Sequence, residues 1–304
     1  MSHLAFTMVL AASGALLLAQ DKTAAPAVPV QMTVTVEARH GKNAAPSLNR
    51  EDVMVFDGKQ RLPVTDLMAG EAAGLELFLL IDDAAGDALG TQLQSLHHFI
   101  DNQPASTIIG VGYMRNGEAV IAQNFTKDHA LAAKALRLPL SVPGASPSPF
   151  LSLSDLIKRW PQNSARHEVI MITSGIDPLG GNVIDPYLDT AIAQAQRYGV
   201  IVYAIYTPSG GHLGHSYWRA NWGQNHLAQL AEETGGESFM IGLAPLVSFD
   251  PYLDEIAEHL AHQYRVGFQA KARNKAGLQP VKMSTEVPNG EIVAAPKVWV
   301  PAGL

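Results

Sequence analysis

At residues 75–83 the sequence reads LELFLLIDD, and this stretch decides the fold. Six of its first seven residues are apolar, a run typical of a strand that is buried on both faces of a parallel sheet. Asp82 and Asp83 follow at once, where such a strand leaves the sheet. Ligands of open α/β sheets bind beyond the carboxyl ends of the strands, so we expect any chemistry to occur near these two residues.

Downstream of this strand, apolar patterns with helical spacing alternate with short apolar runs. The predicted helices lie near 89–100, 131–136, 188–198, 224–233 and 250–262, with another that ends at Trp160; the predicted strands are 107–114, 119–122, 168–173, 200–206 and 238–241. Asn116-Gly117 predicts a tight hairpin, which makes 119–122 an antiparallel edge strand. This alternation predicts an α/β domain with a doubly wound, mostly parallel sheet.

Both flanks of this domain show the period-two pattern of antiparallel strands. Residues 32–70 contain an alternating run at 33–36 and a hairpin pattern around Asp57-Gly58, for which we expect a type I′ turn. Residues 264–304 return to hairpin patterns, with a turn at 288–290. We therefore expect a small β module, formed by the N-terminal segment 32–70 and the C-terminal segment 264–304, beside an α/β domain that spans 75–263.

Composition excludes several classes of protein. The 304 residues include 28 acidic and 21 basic side chains, and the net charge of -7 argues against a nucleic-acid binder. A hydrophobic content of 47% argues against a disordered chain. Cysteine is absent, which excludes disulfides, thiolate metal sites, a cysteine nucleophile and a lipid-bearing cysteine.

The N-terminus has the pattern of an export signal. The first twenty residues contain no Asp, Glu, Lys or Arg, and 4–19 is an apolar run that is short for a membrane span of about 20 residues. We interpret 1–20 as a signal peptide and 21–31 as a linker; an uncleaved anchor or a buried core helix fits less well. We therefore expect an exported protein, periplasmic or secreted, without an integral membrane span in the mature chain.

Polar loops follow two of the predicted strands: Asp-Asp-Ala-Ala-Gly at 82–86 and Thr-Ser-Gly-Ile-Asp at 173–177. Here the chain resembles the von Willebrand factor type A domain, whose first strand ends in Asp-x-Ser-x-Ser and whose later strand commonly ends in Thr-Asp-Gly. The runs at 53–59, 230–236 and 263–268 resemble an exported, acidobacterial-type subgroup that carries this domain. The resemblance covers roughly 32–268 and implies a von Willebrand factor A-like, Rossmann-like fold with a protein-binding role in adhesion or assembly.

The resemblance also implies the position of a metal-ion-dependent adhesion site. In the family, an Asp and two Ser of the first loop, a Thr of another loop and an Asp of the third hold Mg²⁺ or Mn²⁺, with one position open for a partner's carboxylate. Asp82 matches the first Asp, but Ala84 and Gly86 stand where the serines belong. Ser174 replaces the Asp of Thr-Asp-Gly. We therefore expect a degenerate adhesion site that holds no metal.

The remaining polar residues of this edge form the candidate partner-binding site. Its members are Asp82, Asp83, Ser146, Ser148, Ser174 and Asp177. Ser146 or Ser148, in a Pro-rich loop, is the nearest counterpart of the family's threonine. Asp83 and Asp177 offer carboxylates for an altered metal site, but acidic residues at strand ends are more often helix caps or solvated loop charges. We expect no catalytic residue, no cofactor and no metal here.

A long insertion at 208–224 carries histidine and aromatic side chains. They are His212, His215, Tyr217, Trp218 and Trp222, with His226 directly after the insertion. The imidazoles are a potential zinc site, but the insertion contains no carboxylate to complete a ligand set. The aromatic residues either offer an exposed surface to a peptide or glycan or fold back to anchor the loop, and we favour anchoring.

Signatures of catalysis are missing from the sequence. Neither a Gly-x-Ser-x-Gly elbow nor a phosphate-binding glycine motif follows a predicted strand. Residues 254, 255 and 258 are acidic, but their helical spacing predicts a solvated face. We expect an exported protein-binding module with an unidentified protein partner, rather than an enzyme. The alternatives are a hydrolase or metal-dependent enzyme that uses acidic or histidine residues at the carboxyl edge, and an assembly role of the β segments.

Overall fold

A computed structural model describes residues 26–39, 44–140, 148–161, 163–180, 183–210 and 216–303. The predicted signal peptide, 1–20, lies outside these ranges, as do Ser146, His212 and His215.

The strands are β1 (Ala27–Ala38), β2 (Val53–Asp57), β3 (Gln60–Leu62), β4 (Val64–Ala69), β5 (Leu75–Asp82), β6 (Ile108–Arg115), β7 (Glu118–Thr126), β8 (Arg166–Thr173), β9 (Val200–Tyr206), β10 (Ser238–Phe239), β11 (Gln263–Lys271), β12 (Gly277–Pro280), β13 (Lys282–Thr285), β14 (Gly290–Val293) and β15 (Lys297–Val300). The α-helices are α1 (Gly70–Ala73), α2 (Leu93–Asp101), α3 (His129–Lys134), α4 (Pro149–Arg159), α5 (Pro186–Tyr198), α6 (Tyr217–Thr234) and α7 (Asp250–Ala261).

Six strands form the central sheet in the order β10-β9-β8-β5-β6-β7. Neighbouring strands are parallel except for β6 and β7, which are joined through Asn116 and Gly117. Both turn residues have positive φ, as a type I′ turn requires. Numbered within the domain, the order is 6-5-4-1-2-3, so the sheet is doubly wound and reverses its order between β5 and β8.

Helices cover both faces of this sheet, which is why every residue of β5 and β8 is buried. On one face the core includes residues of α2, α3 and α7, and on the other it includes residues of α4, α5 and α6. The apolar run of β5 supplies both cores, because successive side chains of a strand point to opposite faces. The fold class predicted from the sequence is confirmed: the α/β domain has a von Willebrand factor A-like, Rossmann-like sheet.

The β module combines the two ends of the chain. One of its sheets has the order β14-β1-β11-β4, and another has the order β13-β2-β3. β1 pairs antiparallel with β11 from Ala27 opposite Lys271 to Thr35 opposite Gln263. Val34, Val55 and Phe268 are among the buried residues of the core that these strands enclose. The N-terminal and C-terminal segments therefore form one module, as the predicted fold class requires.

Three local predictions were wrong. Residues 27–31, predicted as part of the linker, belong to β1, because they pair with β11 and Val30 is buried. Pro29 is tolerated in this strand because this stretch has no described second partner strand. The turn after β2 is not type I′, since Asp57 pairs with Gln60 and only Gly58 of the two central residues has positive φ. Helix α6 begins at Tyr217 rather than near residue 224, so the insertion is shorter than predicted. The Ser216 hydroxyl caps this helix by accepting a hydrogen bond from the Arg219 N–H.

Glu168 in β8 lies in the buried contact between the central sheet and β11. Burial raises the pKa of Glu168 to about 8, against the lowering effects of the Arg166 guanidinium and the Gln263 amide. The unfolded chain releases this proton near the ordinary value of 4.5, whereas the folded chain keeps it until about 8. The contribution of Glu168 to stability is therefore complete below pH 4.5 and is lost as the pH rises through about 8.

Between pH 4.5 and about 8, the free energy of unfolding should change with pH more weakly in Glu168→Gln than in the wild type. We predict that the difference in slope reaches up to about 1.4 kcal/mol per pH unit. Urea denaturation of both proteins across the window measures the difference. Glu232→Gln, at an exposed position of α6, is the control and should keep the wild-type slope. An unchanged slope in Glu168→Gln would contradict the protonated state of the buried carboxyl.

Candidate functional site

The candidate site lies at the carboxyl edge of the central sheet, where β5 and β8 end side by side. Asp82, the last residue of β5, is fully buried. Its Oδ1 accepts a hydrogen bond from the Ala84 N–H at 2.8 Å, and its Oδ2 accepts one from the Thr173 hydroxyl at 2.8 Å. Burial raises the pKa of Asp82 to about 6 despite these hydrogen bonds, and the charge of Asp83 adds to the rise. Asp82 therefore links the ends of the two central strands.

Main-chain contacts close the crevice above Asp82. The loop after β5 crosses to the loop after β9, where Ala85 and Ser209 form an isolated antiparallel bridge. The Gly86 N–H donates to the Pro208 carbonyl at 3.2 Å, and the Gly210 N–H donates to the Ala84 carbonyl at 2.9 Å. Backbone thus fills the place where a doubly wound sheet commonly receives its ligand.

Asp83 is held by two arginines. Its Oδ2 lies 2.5 Å from Arg115 at the end of β6, and its Oδ1 lies 2.7 Å from Arg137 and 2.9 Å from the Leu140 N–H. Burial favours a higher pKa for Asp83, but the hydrogen bonds from Arg137, Leu140 and Arg115 outweigh it and lower the pKa. The Arg137 guanidinium also stacks 3.6 Å above the ring of Tyr113. The expectation that Asp83 is a helix cap or a solvated charge was wrong, because Arg115 at the end of β6 and the segment after α3 both bind it.

Ser148 and Asp177 form a third network. The buried Ser148 hydroxyl donates to Asp177 Oδ2 at 2.5 Å, while Asp177 Oδ1 accepts from the N–H groups of Leu179 and Gly180 at 2.9 and 3.1 Å. Burial raises the pKa of Asp177 and the charge of Asp185 adds to it, although the three hydrogen bonds act in the opposite direction. Asp177 thus fixes a turn rather than facing solvent as a free loop charge.

The structure places the described candidate residues on one edge but in separate networks. Asp82 meets Thr173, Asp83 meets the arginines, and Ser148 meets Asp177, while the Ser174 hydroxyl accepts a hydrogen bond from the Ile176 N–H at 3.3 Å. All six carboxylate oxygens of the three aspartates accept hydrogen bonds from protein donors. As they stand, these residues do not fit the Mg²⁺ site that the family resemblance implies, because Asp82, Asp83 and Asp177 lie in separate networks and, among the described residues, do not form a group of three carboxylates within ligand distance of one another.

Sequence reasoning missed Arg115 and Arg137. Arg115 ends the strand that neighbours β5, so its nearness to Asp83 was accessible once the strand order was assumed. Arg137 lies in a segment without a helical or strand pattern, and no signal in the sequence linked it to Asp83. Both arginines are partly exposed, at 33% and 35% of their side chains, so they form the outer wall of this network.

The same edge carries a set of large exposed apolar side chains, which we call the apolar edge. Its members are Leu138, Leu140, Leu179, Val183, Ile184, Tyr217, Trp218, Ile241 and Val247. They follow α3, β8 and β10 or begin α6, and their exposure runs from 50% at Leu140 to 98% at Val247. Of the other large apolar residues exposed in the described ranges, Val120 lies in β7 and Leu131 in α3.

The prediction that the aromatic residues anchor their loop was wrong for Tyr217 and Trp218. These side chains are 62% and 66% exposed, and their rings pack edge to face on each other at 5.6 Å. Both residues lie in the first turn of α6, where their side chains face the solvent. His226, farther along α6, is buried edge-on against the ring of Phe150.

Neither a protein-family model nor a curated protein matches the sequence. Among solved structures, the chain is similar to BatB from Bacteroides thetaiotaomicron, with 14% identity and a TM-score of 0.46 over 62% of this chain and 98% of that one. An aerotolerance-related membrane protein from Bacteroides fragilis gives 14% identity and a TM-score of 0.45, with the same 62% and 98% covered. The ArnB paralog VWA2 from Sulfolobus acidocaldarius gives 9% identity and a TM-score of 0.43 over 91% and 76%. The fold class follows from the strand order of this protein's own sheet.

We predict that Asp82→Ala destabilises the protein by about 1 to 3 kcal/mol, because it leaves the buried Thr173 hydroxyl and the Ala84 N–H without an acceptor. Urea denaturation measures the loss, and amide hydrogen exchange at 84–86 should accelerate at the same time. Asp101→Ala, at an exposed position at the end of α2, is the control and should change little. Wild-type stability and exchange in Asp82→Ala would contradict the bridging role of this carboxylate.

Proposed function

We propose that this chain is an exported protein-binding module that recognises its partner through the apolar edge, without a metal ion, in an adhesion or assembly role. The observation that carries the proposal is that nine large apolar side chains, in segments that follow α3, β8 and β10 or begin α6, are each at least half exposed. Large exposed apolar patches on soluble domains mark interaction sites, and exposed Trp and Tyr are common among the residues that dominate binding energy. The aspartates of the edge hold the loops that carry this surface.

Metal independence is supported by the state of the aspartates. Every carboxylate oxygen of Asp82, Asp83 and Asp177 accepts a hydrogen bond from the protein, and main chain covers Asp82. A hard divalent cation there has to share these oxygens with the protein donors that they already bind, or displace those donors.

Export is supported by the apolar, uncharged pattern of residues 1–20. Among the residues that the structure describes, no helix is long and apolar enough to cross a membrane. We also propose membership of the exported acidobacterial-type subgroup, on the runs 53–59, 230–236 and 263–268. The second run has a clear structural role, since Gly235 ends α6 with a φ of +83° and a Cβ on Gly236 would lie 2.1 Å from the Val202 carbonyl oxygen.

We predict that replacing two large exposed side chains of the apolar edge, Ile184 and Trp218, abolishes partner capture. Immobilised wild-type chain is incubated with an envelope extract of the source organism, with EDTA or with Mg²⁺, beside the double variant Ile184→Ser/Trp218→Ser. The wild type should retain the same partner under both conditions, and the double variant should retain at least tenfold less. Leu131→Ser, which removes a 48% exposed leucine of α3 that lies outside the apolar edge, should behave as the wild type.

Two outcomes contradict this proposal. Capture that requires Mg²⁺ or Mn²⁺ overturns metal independence. Equal capture by the wild type and by the double variant overturns the assignment of the apolar edge as the binding surface.

We predict that residues 1–31 direct export. A reporter enzyme that is active only outside the cytoplasm should become active when fused behind these residues, and Leu10→Arg/Leu16→Arg in the apolar run should abolish the activity. Thr23→Arg, in the predicted linker, should leave it unchanged. An inactive wild-type fusion, with the reporter retained in the cytoplasm, shows that this segment is not an export signal.

A further inference from the structure

A second cluster of titratable side chains lies at the opposite, amino edge of the central sheet. Glu237 directly precedes β10, Glu255 and His259 lie on α7, and Glu37 lies in β1 of the β module. Glu37, Glu255 and His259 line an open cleft of about 390 Å³. The cluster therefore joins groups from the α/β domain and the β module.

The imidazole of His259 has a carboxylate on each side. Its Nε2 lies 3.6 Å from Glu37 Oε1, and its Nδ1 lies 3.9 Å from Glu237 Oε2. One ligand atom each from Glu237, Glu255 and His259 lie within 4.8 Å of one another. The His259 side chain is only 13% exposed, so the surrounding protein holds the ring in place while the carboxylates face the solvent-accessible side.

Ion pairing with His259 alone does not account for this arrangement. Both distances from its ring nitrogens are longer than a hydrogen bond. In the described ranges, no lysine or arginine forms an ion pair with Glu37, Glu237 or Glu255. Three carboxylates around one imidazole leave negative charge that a divalent cation neutralises.

The ligand set selects the metal. Ca²⁺ takes six to eight oxygen ligands, whereas imidazole nitrogen with carboxylate oxygen is a common tetrahedral set for Zn²⁺. Ligand atoms on one zinc ion lie roughly 3.4 Å apart. The observed ligand atoms lie within 4.8 Å of one another, so zinc binding requires the exposed Glu237 and Glu255 side chains to rotate inward. Glu255 and His259 are four residues apart, the spacing that places two metal ligands on one face of a helix.

We propose that Glu237, Glu255 and His259 bind Zn²⁺ and that Glu37 accepts a hydrogen bond from the other ring nitrogen of His259. Metal-binding histidines usually donate their second N–H to a carboxylate, which fixes the ring and its tautomer. The ion links α7 to the start of β10, and the hydrogen bond from His259 to Glu37 connects this site to β1 and so to the β module. This site is separate from the apolar edge and does not rest on the proposed protein-binding function.

Calorimetric titration of the metal-stripped full-length chain with ZnCl₂ tests the site. We expect one Zn²⁺ per chain and a higher unfolding temperature with the ion bound. His259→Gln and Glu237→Gln should each weaken binding at least tenfold, and Glu37→Gln, which affects only the positioning of the ring, should weaken it about tenfold. His262→Gln is the matched control and should bind as the wild type, because this histidine follows α7 and its Nδ1 already lies 2.9 Å from the Glu258 carbonyl.

A further variant, His212→Gln/His215→Gln, separates this site from the histidines that lie outside the described ranges. Full binding in this variant supports the proposal, and loss of binding in it overturns the proposal. Equal binding by the wild type and His259→Gln, or no binding by the wild type, also overturns it. Should His259→Gln fail to fold, Glu237→Gln decides the question, since its side chain is 46% exposed and its replacement leaves the core intact.

Discussion

The hydrogen bond from the Thr173 hydroxyl to Asp82 joins β5 and β8 at the point where the order of the sheet reverses. The chain after β5 continues to α2 on one face, and the chain after β8 continues to α5 on the other. Because these two segments leave toward opposite faces of the sheet, a crevice opens between the ends of β5 and β8. Asp82 fills the bottom of this crevice, and the backbone bridge between Ala85 and Ser209 covers it. The Asp82–Thr173 hydrogen bond and the Ala85–Ser209 bridge thus hold the bases of the loops at the carboxyl edge.

The contacts that occupy the carboxylates also display the apolar side chains. Asp83 binds Arg137 and the Leu140 N–H, so the segment that carries Leu138 and Leu140 is fixed with these leucines outward. Asp177 accepts a hydrogen bond from the Leu179 N–H and holds that exposed leucine in the same way. Charged groups at the edge therefore act as internal supports, and the side chains that these segments expose are apolar rather than anionic.

The α/β layers were predictable from the sequence because parallel strands buried on both faces, such as β5, are apolar at nearly every position. The end of each apolar run also marks where the strand leaves the sheet, so the position of Asp82 at the carboxyl edge was predictable as well. The pairing of Asp83 with Arg137 was not predictable, since Arg137 lies 54 residues away in a segment without periodicity and meets Asp83 only through tertiary packing. The start of α6 was missed because its exposed first turn, with Tyr217 and Trp218, shows no apolar stripe.

Pairing of β1 with β11 makes the α/β domain an insertion within the β module. During synthesis β1 is made before the α/β domain, but its neighbours β11 and β14 are made only after the whole of that domain. Until then β1 presents unpaired backbone groups, and such edges associate with other chains. Contacts between segments so distant in sequence form slowly. Closure of the β module is therefore the late step of folding, and the period before it is when newly made chains are most exposed to aggregation.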